Sequence, residues 1–245
     1  MREWLVVLLF LWTWKGASQG LVVFNNRVGE QVVAPVYNVD PANPAYSQYG
    51  NGIVYNGGFL VGPGFTAQLF GGPANTPVMQ LPPLVPTTVF RSDVGGYVVQ
   101  PNRAVAVPGV PQGEPAKVQL RAWNNRGGSI TNWAQVVADP TIPRGASLPI
   151  TTPPLGSLFT APPNLVGLES FSLALPITLN SLRRQPDGQF QFNYINPTVA
   201  DYCVHASEDL VHWTSLEALG LGSGTFIDTS ATNKARRFYR IVTCR

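Results

Sequence analysis

The side chains that could act as an acid, a base or a nucleophile are thinly spread along this chain. Residues 21–179 contain no histidine and no cysteine, which excludes a Ser-His or Cys-His nucleophile from that region. Glycoside hydrolysis would need two carboxylates about 5–9.5 Å apart. The carboxylates of this region stand singly beside turns, where such residues usually serve as caps: Glu30, Asp40, Asp93, Glu114, Asp139 and Glu169. We therefore predict no catalytic residue and no cofactor, and we favour a non-enzymatic protein.

Four tyrosines offer a better candidate for a functional surface. Tyr37, Tyr46, Tyr49 and Tyr55 lie in a segment, residues 37–58, that is rich in Asn, Pro and Gly. Loops that present Tyr and Asn from a rigid scaffold commonly form polar aromatic binding surfaces. We take the four tyrosines as candidate ligand-binding residues. The alternative is a long loop that is tied down by its own aromatic side chains.

Two cysteines, Cys203 and Cys244, lie near the C-terminus. The even-numbered residues of 202–206 are apolar, which places Cys203 and His205 on the opposite face of that strand. If Tyr239 and Ile241 of the last strand face the core, Cys244 points away from the core, as Cys203 does. An even cysteine count in an exported chain favours a disulfide. Two buried free thiols, or a metal site that recruits His205 and His212, are alternatives, but the short paired spacings of zinc sites are lacking. We predict no metal.

Short strands separated by glycine- and proline-rich turns must position these residues, which indicates an all-β fold. We expect an antiparallel β-sandwich domain over residues 21–148. Its clearest strand is Ala116–Trp123, in which Lys117, Gln119 and Arg121 occupy the face opposite the apolar residues. Residues 129–138 could form one or two helical turns around Trp133.

The second half of the chain divides into a connector and a smaller unit. Paired prolines at 153–154 and 162–163 predict a proline-rich connector over residues 149–180, with apolar residues that pack against a domain. Residues 181–245 then form a small immunoglobulin- or fibronectin-like β-sandwich. Residues 208–219 are its one helix-like piece. There we expect Leu210 and Trp213 to share a buried face, although Trp213 could instead stack on a sugar ring.

The N-terminus predicts export. Arg2 precedes an unbroken apolar run, Trp4–Trp12, and small residues follow at 16–18. Nine apolar residues are too few to span a bilayer but suit a signal peptide, which we place at residues 1–20. The mature chain, without a membrane span, would be secreted, periplasmic or displayed on the cell surface. The 16 basic and 13 acidic side chains give a net charge of only +3, so we expect no nucleic-acid partner.

The chain resembles a class of exported, β-rich, uncharacterised proteins of environmental bacteria. The resemblance lies in Phe65–Phe70, Gly95-Gly96-Tyr97, Val118–Trp123 and Leu165–Phe171, and in a C-terminal module with the pattern Y-x-V-x-A-S-x-D-L-x-x-W followed by R-F-Y-R. It implies a secreted or surface β protein and carries over no catalytic residue. We expect binding to an extracellular polymer, chiefly a polysaccharide, or to a cell-surface protein, or a structural role in the matrix. The alternative is an extracellular polysaccharide hydrolase or lyase.

Overall fold

A computed structural model describes residues 19–42, 44–175, 177–196, 202–220 and 222–243. Strands dominate these ranges and most of them pair antiparallel, which confirms the all-β fold class. No helix within the described ranges is both long and apolar enough to cross a membrane. The predicted signal peptide lies almost entirely outside them.

The first unit combines short strands with a six-residue helix. In chain order these elements are β1 (Gln19–Val22), β2 (Arg27–Val28), β3 (Val32–Val33), β4 (Val36–Tyr37), β5 (Phe65–Pro73), a 3-10 turn (Val78–Gln80), β6 (Thr88–Val89), β7 (Val105–Pro111), β8 (Ala116–Asn124), α1 (Trp133–Ala138), β9 (Arg144–Ala146), β10 (Ile150–Thr151) and β11 (Phe171–Ser172). The main sheet has the order β10-β8-β5-β6, with β9 also on β8. β1 pairs with β7, β2 pairs with β3, and β4 pairs in parallel with β11.

Strand β8 contributes both of its faces to the interior. Val118 and Leu120 enter the main core, as the alternation predicts. On the opposite face, Gln119 and Arg121 are also buried. Phe70 and Trp133 cover Arg121, with ring centroids 3.9 and 5.1 Å from its guanidinium carbon. The polar face of this strand is therefore interior as well, because Phe70 of β5 and Trp133 of α1 cover it.

Helix α1 begins where the sequence around Trp133 allowed one. Asn132 is its N-cap residue: its side chain accepts a hydrogen bond from the backbone N–H of Gln135 at 3.1 Å. The Gln135 side chain in turn accepts from the backbone N–H of Asn132 at 3.3 Å, which completes a capping box. The helical alternative for residues 129–138 is confirmed for this short stretch.

Much of the stretch expected to be a connector packs into the first unit. β10 pairs with β8 and β11 pairs with β4, so residues 150–151 and 171–172 belong to its sheets. Four apolar side chains between 165 and 173 are buried in the same core as the main sheet: Leu165, Leu168, Phe171 and Leu173. The expected packing of this stretch against a domain is thus present, and the domain is the first unit.

The C-terminal unit is a sandwich of two three-stranded sheets. Its elements are β12 (Thr178–Arg184), β13 (Phe190–Asn196), β14 (Tyr202–Ser207), β15 (Thr214–Leu219), β16 (Gly222–Asp228), a 3-10 turn (Thr229–Asn233) and β17 (Phe238–Thr243). The sheets have the orders β12-β13-β16 and β15-β14-β17, and Phe192, Tyr202 and Phe226 fill the core between them. The expected helix over 208–219 is wrong, because residues 214–219 hydrogen-bond to β14 as a strand.

Candidate functional site

The loop that carries the candidate tyrosines is fixed along strand β11. Ser172 donates its backbone N–H to the carbonyl of Gln48 at 3.0 Å, and Gln48 N–H donates to the Ser172 hydroxyl at 3.0 Å. Further along, Gly50 N–H donates to the Ser170 carbonyl at 2.9 Å, and Ser170 N–H donates to Oδ1 of Asn51 at 3.0 Å. The loop is therefore held by a strand that lies more than a hundred residues later in the chain.

Three aromatic side chains pack together on this surface, and we call them the aromatic strip: Tyr37, Tyr55 and Phe59. The rings of Tyr37 and Tyr55 lie 4.0 Å apart and are tilted by only 3°. Phe59 packs on Tyr37 with a centroid distance of 4.8 Å. Gly95 makes room for Phe59, since a Cβ at Gly95 would approach the Phe59 Cβ to 2.6 Å. Half of the Phe59 surface remains accessible to solvent (50%).

The phenols of the aromatic strip stay neutral at physiological pH. Burial raises the pKa of Tyr55 to about 12, and Tyr37 and the Glu169 carboxylate add to the shift. Burial, helped by Tyr97, also raises the pKa of Tyr37. The Tyr55 hydroxyl lies 2.8 Å from the Gly50 carbonyl oxygen and 3.0 Å from that of Ser170. These phenols are suited to stacking and hydrogen bonding rather than to proton abstraction.

Exposed aliphatic residues extend the strip along the chain. Val54, next to Tyr55, is 80% exposed, and Ile53 and Val61 are also exposed. Val61 lies beside Gly95, as Phe59 does. A Cβ built on Gly95 would be 3.2 Å from the Cγ2 atom of Val61. Neighbouring exposed apolar side chains are a common mark of an interaction surface.

The other two candidate tyrosines, Tyr46 and Tyr49, are not part of the aromatic strip. The Tyr46 hydroxyl donates to the Ile241 carbonyl at 3.4 Å, and its ring centroid lies 6.2 Å from that of Tyr202. Ala45 N–H also donates to the Tyr202 hydroxyl at 3.2 Å, so this part of the loop contacts the C-terminal unit. A groove of about 330 Å³ runs between the two units here. Tyr49 pairs with Phe171 in a β-bridge. The four tyrosines therefore do not form one surface, and Phe59 was missed.

Single carboxylates of the first unit hold turns. Asp40 accepts from Ala42 N–H at 2.8 Å and from Asn56 Nδ2 at 3.1 Å. Asp139 accepts from Thr141 N–H at 2.9 Å and forms an ion pair with Arg126 at 3.3 Å. Across the described ranges, no three His, Cys, Asp or Glu side chains come together in a way that could hold a metal ion.

The C-terminal unit contains a compact charge network. Asp228 accepts from Tyr239 at 3.0 Å and pairs with Arg237 at 2.6 Å. Burial opposes ionisation of Asp228, but hydrogen bonds from Ser230 and Tyr239 and the Arg237 charge outweigh it and lower the pKa of this carboxyl. Glu208 pairs with Lys234 at 2.6 Å. A polar pocket of about 530 Å³ adjoins this network. Because these charges neutralise one another, the network fastens β16 to β17 rather than marking a charged binding site.

The tight turn before β15 corrects the expectation for Trp213. Ser207 Oγ accepts from Leu210 N–H at 2.9 Å, but Leu210 has a φ of +66° and is 56% exposed. Trp213 is only half-buried: its Nε1–H donates to the Leu210 carbonyl at 3.0 Å, and the Arg240 guanidinium carbon lies 4.2 Å from its ring. A buried Leu210–Trp213 face on a helical turn is therefore wrong, and Arg240 covers one face of the indole.

The register of the C-terminal sheet bears on the cysteines. Cys203 lies opposite Val242 on β17, and Tyr202 lies opposite Thr243. Cys244 follows immediately but falls outside the described residues, so the disulfide stays a prediction.

No family model, no curated protein and no solved structure matches this chain.

Proposed function

We propose that this protein is an exported, non-enzymatic β protein whose aromatic strip binds a polysaccharide outside the cell. The observation that carries the proposal is the half-exposed Phe59 ring, which packs at an angle on Tyr37, itself stacked on Tyr55. Pyranose rings have apolar C–H faces that pack well on aromatic side chains. Because the stack and the β11 hydrogen bonds already fix the strip, little conformational entropy is lost when a ligand binds.

The chemistry around the strip favours binding over catalysis. Its phenols are held neutral by raised pKa values, and Glu169 is the carboxylate that acts on Tyr55. A hydrolase needs a second carboxylate at a defined distance from the first. We therefore retain a polysaccharide hydrolase or lyase only as an alternative outcome of the test.

The test is a binding screen of the mature chain on a polysaccharide array, followed by titration with the best ligand. Phe59→Ala should weaken binding about tenfold, since one aromatic contact contributes about 1–1.5 kcal/mol. The matched control is Phe159→Ala, which removes an equally large but fully exposed ring (96%) outside the strip.

Two results would contradict the proposal. Equal effects of Phe59→Ala and Phe159→Ala would show that the strip does not carry the affinity, provided that circular dichroism shows both variants folded. Release of new reducing ends from a bound polysaccharide would favour the enzymatic alternative.

Export is the other part of the proposal, and it rests on the apolar run Trp4–Trp12 with small residues behind it. N-terminal sequencing of protein recovered from an expressing bacterium should begin between residues 17 and 21. An intact Met1 in membrane-bound protein would contradict it.

A further inference from the structure

Two Asn-Gly pairs lie five residues apart in the loop between β4 and β5: Asn51-Gly52 and Asn56-Gly57. Glycine has no Cβ, so its backbone nitrogen is the least shielded nucleophile that can follow an asparagine. The sequence alone gives both pairs the same reactivity. The structure places them in opposite environments.

The first pair is open to reaction. Asn51 and Gly52 are both exposed, and a Cβ built on Gly52 would have no atom within 4 Å. In the described part of the chain, neither the Gly52 N–H nor the Asn51 Nδ2 donates a hydrogen bond. The one bond on this side chain is from Ser170 N–H to Oδ1, at 3.0 Å. That bond polarises the amide carbonyl and leaves the Nδ2 leaving group free.

The second pair is locked. Asn56 Nδ2 donates to Asp40 Oδ2 at 3.1 Å, so its leaving group is held. Gly57 is buried against the backbone of Asn38 and Val39, and a Cβ there would lie 2.8 Å from the Val39 carbonyl oxygen. Bringing the Gly57 nitrogen onto the Asn56 Cγ requires the backbone to rotate, and this packing leaves no room for that rotation.

We propose that Asn51 is a site of spontaneous deamidation in the folded protein and that Asn56 is protected. The Gly52 backbone nitrogen attacks the Asn51 Cγ, a C–N bond forms, and the Cγ–Nδ2 bond breaks. The Nδ2 amide leaves as ammonia and takes up the Gly52 amide proton. Water from solvent then opens the five-membered imide at either carbonyl, which gives aspartate or isoaspartate at position 51. No oxidant, reductant or enzyme is needed.

The product would loosen the loop that holds the aromatic strip. Ser170 forms hydrogen bonds with both Gly50 and Asn51. The Tyr55 hydroxyl also lies 3.0 Å from the carbonyl oxygen of Ser170. Isoaspartate inserts an extra atom into the main chain between these anchors. Either product adds a negative charge next to Gly50, where a Cβ would lie 3.9 Å from the Glu169 carboxylate. An effect on ligand binding rests on the proposed function, whereas the deamidation itself does not.

The experiment follows both sites by peptide mass spectrometry while the mature protein stands in mildly alkaline buffer at physiological temperature. In the folded protein, Asn51 should deamidate. Asn56 should deamidate at least about tenfold more slowly, because its reaction requires local opening of the structure. In denaturant both sites should convert at similar rates. Asn51→Gln should abolish the early product, since its longer side chain would need a six-membered ring.

Equal rates at the two sites in the folded protein would overturn the proposal, as would an intact Asn51 under conditions in which the denatured chain reacts. Polysaccharide binding of the converted protein is measured separately. Weaker binding would support the loosened strip, and unchanged binding would overturn that consequence while the deamidation stands.

Discussion

Arg121 is a buried cation that forms no ion pair in the described part of the chain, and this gives a sharp energetic prediction. The residue is only 7% exposed. Its Nε–H donates to Gln119 Oε1 at 2.9 Å, and Nη2 donates to the Val78 carbonyl at 3.3 Å. Burial alone lowers its pKa, with no carboxylate contributing. The Phe70 ring, with its centroid 3.9 Å from the guanidinium carbon, therefore supplies much of the stabilisation of the charge.

A double-mutant cycle between Arg121→Met and Phe70→Leu isolates that contribution. Both changes keep most of the apolar volume. A desolvated cation–π pair is worth about 2 kcal/mol, so we expect a coupling free energy of about 1–2 kcal/mol. Arg121→Met alone should be mild, within about 2 kcal/mol, because removing the buried charge also removes its desolvation cost. Arg121→Ala should cost about 2–5 kcal/mol, because it leaves a cavity.

The assay is urea unfolding followed by tryptophan fluorescence, for which the fully buried Trp123 is a reporter of this layer. The four proteins of the cycle are compared at their transition midpoints, with m-values checked for constancy. Additivity within about 0.5 kcal/mol would refute the argument, because it would mean that the Phe70 ring does not stabilise the guanidinium. A loss as large for Arg121→Met as for Arg121→Ala would refute the assignment of a desolvation cost.

Three further predictions concern the C-terminal unit. Trp213→Ala should lower the free energy of unfolding by less than about 2 kcal/mol, because the indole is half-buried and its cation–π contact is near the surface; a larger loss in urea titration would contradict this. The hydrogen bond to Asp209 raises the pKa of His212 above its ordinary 6.5, so the contribution of this pair to stability is complete below pH 6.5 and is lost as the pH rises through the folded-state pKa. Asp209→Asn should lower the midpoint of the His212 titration followed by NMR. An unchanged midpoint would exclude the hydrogen bond as the cause of the shift. Cys203→Ser or reduction should lower the melting temperature of this unit alone, since closing a loop of about forty residues between Cys203 and Cys244 contributes up to about 4 kcal/mol. Two thiols that react with an alkylating agent in the native protein would contradict the disulfide.

The sequence predicted the parts of the fold that depend on local pattern. The alternation in Ala116–Trp123 correctly identified β8 and its core face, and the residues around Trp133 allowed for α1. The other face of β8 could not be predicted. Its burial requires Phe70, Trp133 and a 3-10 turn from three distant segments to meet over Arg121, and periodicity within one strand carries no information about that meeting.

The error over residues 208–219 has a similar cause. Leu216, Glu217 and Leu219 favour a helix by intrinsic propensity, but pairing with β14 outweighs a preference of a few tenths of a kcal/mol per residue. The hydroxyl of Ser207 accepts a hydrogen bond from the Leu210 N–H at the start of this stretch. The chain then reverses direction within Glu208–Trp213, so the cap begins a tight turn instead of a helix.

Which loop tyrosines share a surface is a question that composition could not answer, because the loop is organised from outside. Ser170 and Ser172 on the β11 side form hydrogen bonds with five residues of the loop and thereby set which rings meet. Tyr55 is drawn onto Tyr37, while Tyr46, nine residues earlier, is directed to the C-terminal unit. For Phe59 the relevant signal lies far away in the sequence: only a residue without a Cβ at position 95 leaves room for the Phe59 ring beside that backbone. Packing against Gly95 therefore fixes the position of Phe59. Because half of this fixed ring is still exposed to solvent, Phe59 is the aromatic residue to test for binding.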